Sequence, residues 1–252
     1  MRHLLKALTS SGWLLVCLLL LAQSADAQKR YPSIEDAWDG TDYRALIQRF
    51  ENDGLSLPTL ADAATKPVFE RMVREDNIPL RVGLNAKLAV AIRFQKLSSA
   101  LHPVNKLVAL YSSEMQKGKP YAAEVARLML YEAKIAGMLL ELGDPYLSSV
   151  AKDKRYQTHV DDLNQMKGSA LQLYAALVQR MTETSVYAKP DILAMSSGAL
   201  EGLRSYDPIL TDQHRLEFVQ RLTRQISTTA DQELKTALSA LRDAIKKRQI
   251  PT

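Results

Sequence analysis

Apolar residues recur at three- and four-residue spacing over most of the chain, which is the pattern of amphipathic α-helices. The strongest periodic stretch, residues 156–181, has the spacing of a coiled-coil seam. No stretch alternates apolar and polar residues over a useful length, as half-buried strands do. The pattern therefore predicts an all-α fold, a bundle of about seven to nine helices.

Residues 121–142 are apolar over most of the circumference when they are placed at 100° intervals around a helix. Pro120 suits a first helical turn, and Gly143 followed closely by Pro145 predicts the end of the helix. A helix with so narrow a polar stripe is surrounded by others. We therefore expect a buried central helix near residues 120–143.

Glu132 is the exception on this helix, because it projects away from the polar stripe and into the apolar face. A buried carboxylate is costly unless it is paired or protonated. We therefore expect a partner among Arg, Lys, His or hydroxyl groups, or a raised pKa. A structural hydrogen bond is the simpler interpretation, and a functional acid is the alternative. Glu132 and its neighbour Tyr131 are the two candidate ligand-binding residues.

Residues 1–27 have the pattern of a secretory signal that is removed from the mature protein. A basic head with Arg2 and Lys6 precedes a brief apolar run, and small residues around Ala27 mark a cleavage position. We expect a periplasmic or secreted protein. The single cysteine of the chain, Cys17, lies in this signal, so the mature protein has no thiol for a disulfide or for catalysis.

The remaining residues are expected to form a flexible lead-in, residues 28–40, and a single helical domain, residues 41–252. Inside the domain, Pro103 predicts a break between two helices, and Gly198 predicts close packing. The stretch 211–248 forms either one helix or two. Its expected cap is Thr211 or Asp212, and three apolar residues of its first half are expected to face inward, Leu216, Val219 and Leu222.

The chain contains no nucleophile elbow, zincin motif, phosphate-binding loop, EF-hand loop or haem motif. His159 with Asp162, and His214 with Glu217, are pairs three residues apart. The Glu-x-x-His order of di-iron bundles is reversed in both pairs, so we interpret them as solvated or capping residues. We predict no catalytic residue, no metal site and no cofactor.

The net charge of +5 is mild and is spread along the chain, which does not favour nucleic acid or an anionic membrane as a partner. Charges at Arg127, Glu132 and Lys134 also argue against a membrane span in the central stretch, since each costs about 2.5–3.5 kcal/mol near mid-span. The mature protein is therefore not expected to be an integral membrane protein.

We expect an exported, non-enzymatic helical protein that acts by binding a protein partner, as a chaperone-like, inhibitor or immunity-type factor. Missing catalytic motifs and plentiful amphipathic helices favour this function. The alternative is a helical carrier that encloses an apolar small molecule, oriented by Glu132 or Tyr131. A hydrolase that uses the carboxyl group of Glu132 is a third interpretation. The sequence does not predict the identity of the partner or the oligomeric state.

Overall fold

The computed structural model describes residues 31–78 and 88–247. These residues form eight α-helices, two short 3-10 turns and no strand, which confirms the predicted all-α fold. The chain divides into two compact units, Met1–Arg74 and Glu75–Thr252, and each is described by itself. The single domain expected over residues 41–252 stays a prediction.

The described part of the first unit contains two helices, α1 (Gly40–Asp53) and α2 (Lys66–Met72). The rings of Trp38 and Tyr43 pack edge to face, with centroids 5.6 Å apart, and both side chains are buried. The hydroxyl group of Tyr43 donates a hydrogen bond of 2.7 Å to the carbonyl group of Met72. This side chain therefore connects the two helices.

The segment predicted as a flexible lead-in, residues 28–40, is anchored where the structure describes it. Tyr31 is buried, and its hydroxyl group donates to the carbonyl group of Ser56 at 2.8 Å. The indole N–H of Trp38 donates to a backbone carbonyl at 2.7 Å. Burial of two large aromatic side chains stabilises this arrangement. The predicted signal, residues 1–27, lies outside the described residues.

Six helices form the described part of the second unit. They are α3 (Val90–Gln116), α4 (Ala122–Ser149), α5 (Tyr156–Arg180), α6 (Lys189–Tyr206), α7 (Asp212–Thr228) and α8 (Gln232–Lys246). Helix α4 packs against α3, α5 and α6, while α8 packs against α6 and α7. The buried central helix is therefore confirmed. Among the described helices, α4 included, none has the length and apolar character needed to cross a membrane.

Two predicted helix ends are wrong, because α4 and α3 both continue through proline. Helix α4 runs past Gly143 and Pro145 to Ser149, and α3 runs through the buried Pro103. Each proline removes one helical hydrogen bond. Packing of the surrounding turns offsets that loss, since most helical stability in proteins comes from tertiary contacts.

Glycines on α4 and α6 allow close contact with neighbouring helices. A Cβ atom on Gly143 would lie 2.8 Å from Cδ1 of Leu163 in α5, and one on Gly198 would lie 2.5 Å from Cδ2 of Leu130 in α4. These separations are shorter than van der Waals contact. Gly143 thus serves packing rather than helix termination, and the packing role predicted for Gly198 is confirmed.

The described part of the stretch 211–248, residues 211–247, forms two helices, because Asp231 begins a new helix within it. The Asp231 carboxylate accepts hydrogen bonds from the first turn of α8, and the Thr211 side chain caps α7. The inward position expected for Leu216 is wrong, since this side chain is 57% exposed. The buried residues of α7 are instead Arg215, Phe218 and Leu222.

Candidate functional site

A pocket of about 450 Å³ lies in the second unit, lined by residues of α3, α4 and α5. Its buried floor consists of four apolar residues, Ala136, Leu139, Leu163 and Ala170. Its exposed rim is polar and includes five residues, His102, Asn105, Asp162, Gln165 and Ser169. Apolar walls with a few polar groups are typical of small-molecule sites, and the volume lies in their usual range.

The pocket extends along α4, since its lining residues are spread over several turns of that helix. Glu132 and Tyr146 are both lining residues of α4. They are fourteen positions apart, which corresponds to about 21 Å along a helix. The pocket is therefore elongated, with a carboxyl group near one end and an aromatic ring near the other.

Glu132 is a buried lining residue, with 3% of its surface exposed. Its Oε1 atom accepts a hydrogen bond of 2.8 Å from Nδ2 of Asn105 in α3. Its Oε2 atom is buried and has no hydrogen-bond partner within the described part of the chain. The predicted burial is thus confirmed, but the partner is an amide and not one of the expected groups.

Burial raises the pKa of Glu132 from 4.5 to about 7, because the charged form loses its hydration. The hydrogen bond from Asn105 acts in the opposite direction and lowers the pKa. The predicted rise is therefore confirmed. A carboxyl group with a pKa near neutral pH exchanges its proton readily when a charged group approaches.

The other end of the pocket is formed by three rings, one from each helix. The ring of Phe94 stacks on that of Tyr146, with centroids 4.2 Å apart and planes 5° from parallel. The hydroxyl group of Tyr146 shares a hydrogen bond of 3.0 Å with Nδ1 of His159. Sequence analysis missed this cluster, because no periodic signal connects single rings on three different helices.

The charged residues that line the pocket are acidic. Glu132 and Asp162 are lining residues, and the described lining includes no Lys or Arg. Neither carboxyl group is in an ion pair with a described residue. The pocket is therefore negatively charged when both groups are ionised and its histidines are neutral.

The two candidate ligand-binding residues have different environments. Tyr131 is buried but is not among the described lining residues of the pocket. Adjacent helical residues differ by 100° around the axis, so Glu132 and Tyr131 face different neighbours. The geometry therefore associates Glu132 with the pocket, and the ligand-binding role of Tyr131 stays a prediction.

The two histidine pairs considered as metal ligands also differ in place. His159 and Asp162 line the pocket, whereas Nδ1 of His214 accepts a hydrogen bond from the backbone N–H of Thr211 at the start of α7. Within residues 31–78 and 88–247, no group of three or more His, Cys, Asp and Glu side chains could hold a metal ion.

The arrangement as a whole can enclose an apolar body along α4 and offer it one buried carboxyl group. Comparison with known proteins found no protein-family model, no curated protein and no solved structure that matches this chain.

Proposed function

We propose that the protein is a helical carrier that binds a small, mostly apolar molecule in the pocket lined by α3, α4 and α5. The observation that supports this function is the combination of an apolar floor with the buried Oε2 atom of Glu132, which has no partner among the described residues. Native proteins pair most buried polar atoms. A bound molecule with a hydrogen-bond donor would pair this one.

The carrier function has better support than a protein partner. Four large apolar side chains are exposed among the described residues, Ile92, Val186, Leu200 and Leu216. They lie on three helices and one connection. Exposed apolar side chains on separate elements are common and are not by themselves evidence of an interface. The protein partner expected from the sequence therefore stays a prediction.

The hydrolase interpretation has less support than binding. A carboxyl group with a pKa near 7 suits general acid–base chemistry. A hydrolase also needs a second reacting group beside it. Among the described residues, the hydrogen-bond partner of Glu132 is the amide of Asn105, which neither accepts nor releases a proton.

The predicted signal over residues 1–27 supports a place of action for the carrier in the periplasm or outside the cell.

A fluorescence titration with the neutral apolar probe N-phenylnaphthylamine tests this function. The variant Ser169→Trp places an indole at the exposed rim of the pocket, where it takes up space that the probe needs. We expect the probe affinity to fall at least about tenfold, which corresponds to 1.4 kcal/mol. The matched control is Ser197→Trp, because Ser197 is exposed on α6 and is not a described lining residue.

The control variant is expected to bind the probe as the unchanged protein does. Circular dichroism and thermal unfolding establish that both variants are folded. Equal probe binding by all three proteins would show that the probe binds elsewhere. Failure of the unchanged protein to bind any apolar probe, together with a native mass spectrum of apo protein alone after gentle purification, would refute the carrier function.

A further inference from the structure

We propose that the ligand is an amphiphile with a cationic amine, whose ammonium group binds the Glu132 carboxylate while its apolar chain lies along α4 toward Tyr146. This inference rests on the proposed carrier function and adds the chemical class of the ligand. Three features support it, namely the charge of the pocket, the unused acceptor of Glu132 and the direction of the apolar floor.

The charge of the lining favours a cation over a neutral or anionic head group. Glu132 contributes a carboxyl group at the end where the head group binds, and the described lining contributes no Lys or Arg. The second lining carboxyl group, Asp162, lies toward the other end, because His159 of the same helix pairs with Tyr146. An anionic head group would therefore meet the like charge of Glu132 without a Lys or Arg to bind it, although two imidazoles, His102 and His159, also line the pocket. Electrostatic complementarity of this kind selects against the wrong class of ligand as much as it attracts the right one.

The hydrogen-bonding capacity of Glu132 matches an ammonium group. An ionised carboxylate only accepts hydrogen bonds, and an ammonium group only donates them. Oε1 already accepts from Asn105, whereas Oε2 has no partner in the described part of the chain. Hydrogen bonds with an ionised partner are about twice as strong as neutral ones, and an ammonium group at Oε2 adds the attraction between opposite charges, which a hydroxyl group lacks.

The burial of Glu132 also favours a cationic head group over a neutral one. Burial raises the pKa of Glu132, so the ionised form is disfavoured in the free protein. A cation at hydrogen-bonding distance stabilises the ionised form and reverses this effect. A neutral head group offers no such compensation, and Glu132 would then remain protonated over much of the neutral pH range.

The apolar floor sets the direction of the rest of the molecule. Ala136 and Leu139 follow Glu132 along α4, and Leu163 of α5 lines the same buried floor. At the far end, the ring of Phe94 stacks on that of Tyr146. Since the distance along α4 from Glu132 to Tyr146 is about 21 Å, a linear chain suits the recess better than a compact ring system.

Three probes with the same chain and different head groups test the inference: dodecylamine, dodecanol and dodecanoate. Each is titrated below its aggregation concentration, at pH 8, against the protein loaded with N-phenylnaphthylamine. We expect the amine to displace the neutral probe at a concentration at least about tenfold lower than the alcohol. The carboxylate is expected to be the weakest of the three. This comparison uses the unchanged protein and needs no variant.

The variant Glu132→Gln then assigns the preference to one residue. Loss of a hydrogen bond to a charged group typically lowers affinity by about 10- to 100-fold, and we expect this loss for the amine. The affinity for the alcohol should change less than about threefold, because an amide can still pair with a hydroxyl group. A preference for the amine that survives Glu132→Gln would overturn the inference.

Two control variants distinguish direct contact between the ammonium group and Glu132 from general attraction by nearby negative charges. Glu141→Gln removes an exposed carboxyl group of α4 that is not among the described lining residues, and it should leave all three affinities unchanged. Asp162→Asn removes the carboxyl group of the rim and should retain most of the amine preference. If Asp162→Asn abolishes the preference as fully as Glu132→Gln, direct contact with Glu132 is wrong.

The possible failures are distinguishable. If the unchanged protein binds amine and alcohol equally, the proposed ligand class is wrong and the carrier function stands. If the probe binds and none of the three compounds displaces it, the proposed ligand class is also wrong. If the probe itself does not bind, the carrier function fails together with the inference.

Discussion

Two buried carboxyl groups of the second unit have opposite surroundings. Asp207 is 9% exposed and lies beside Arg215, which is 8% exposed. Nη2 of Arg215 donates to Oδ1 of Asp207 at 2.5 Å, and Nη1 donates to the carbonyl group of Ile245 at 3.1 Å. Glu132 is 3% exposed, yet its hydrogen-bond partner among the described residues is the neutral amide of Asn105.

The difference shows that burial of a charge does not by itself mark a functional site. Arg215 neutralises Asp207 and ties together the turn after α6, the start of α7 and the end of α8. The charges of this pair are balanced within the chain, which indicates a structural role, although Nε of Arg215 is a buried atom without a hydrogen-bond partner among the described residues. The Glu132 carboxylate has no such cation among the residues that the structure describes, so a proton or an external cation is left to neutralise it. It lines a pocket through which either can arrive.

The largest expected effect comes from breaking the Asp207–Arg215 pair with Arg215→Met. The change leaves the Asp207 carboxylate buried without its cation, and removal of one partner from a buried pair typically costs about 3–5 kcal/mol. Urea denaturation at pH 7 measures this loss in the free energy of unfolding. Arg221→Met is the matched control on α7, because Arg221 is exposed, and it should change stability by less than about 0.5 kcal/mol. Equal effects of the two changes would contradict the structural role.

The next largest effect concerns Glu132 and depends on pH. The pKa of Glu132 is raised from 4.5 to about 7 in the folded protein, so between these pH values the folded state holds a proton that the unfolded state has released. This extra proton stabilises the folded state at low pH. The stabilisation is lost as the pH rises from 4.5 to about 7, by about 3 kcal/mol in all. Above pH 7, the ionised carboxylate is buried at its full cost.

Glu132→Gln removes this titration, so the variant should gain stability relative to the unchanged protein as the pH increases. We expect little difference at pH 4.5 and about 3 kcal/mol in favour of the variant at pH 8. Urea denaturation at a series of pH values measures the free energy of unfolding of both proteins. Because all other titrating groups are the same in both, their contributions cancel in the difference between the two proteins. Glu141→Gln, at an exposed site of the same helix, should follow the unchanged protein. A constant offset between Glu132→Gln and the unchanged protein would contradict the raised pKa.

Sequence analysis predicted the burial of Glu132 and not its partner, for a physical reason. The position of a residue around a helix follows from 3.6 residues per turn, so the apolar neighbours of Glu132 are visible in the sequence. Its contact with Asn105 depends on how far α3 is shifted along α4. That register is set by the packing of whole helices, which single-sequence periodicity does not contain.

Sequence analysis did not predict the Asp207–Arg215 pair, because it placed the neighbouring Leu216 on the inward face of the helix. Arg215, Phe218 and Leu222 share one face of α7 and are buried, but Leu216 suggested a different inward face. The sequence signal for the pair is that Arg215 lies three positions before Phe218 and seven before Leu222, on the same face of the helix.

The helix ends at proline were predicted wrongly for a similar reason. Pro103 and Pro145 are local helix breakers, and the packing contacts of α3 and α4 override their effect.

The smallest expected effect tests the one hydrogen bond that Glu132 does receive. In Asn105→Ala the ionised carboxylate loses its donor, and we expect a cost of about 1.5 kcal/mol at pH 8, since hydrogen bonds to charged groups contribute 1.5–3 kcal/mol. At pH 5 Glu132 is largely protonated, so the cost should fall to about half. Asn164→Ala, at an exposed position of α5, is the control for the change in helix propensity.

The pH dependence of this cost distinguishes two descriptions of the site, and urea denaturation at both pH values measures it. A cost that grows with pH means that Asn105 stabilises the charged form on Oε1, which leaves Oε2 as the position where a cation completes the pair. A cost that is the same at both pH values means that the amide only packs against a carboxyl group that stays neutral. In that case Glu132 would resemble Asp207 after all, as a carboxyl group neutralised within the chain, by its own proton instead of an arginine.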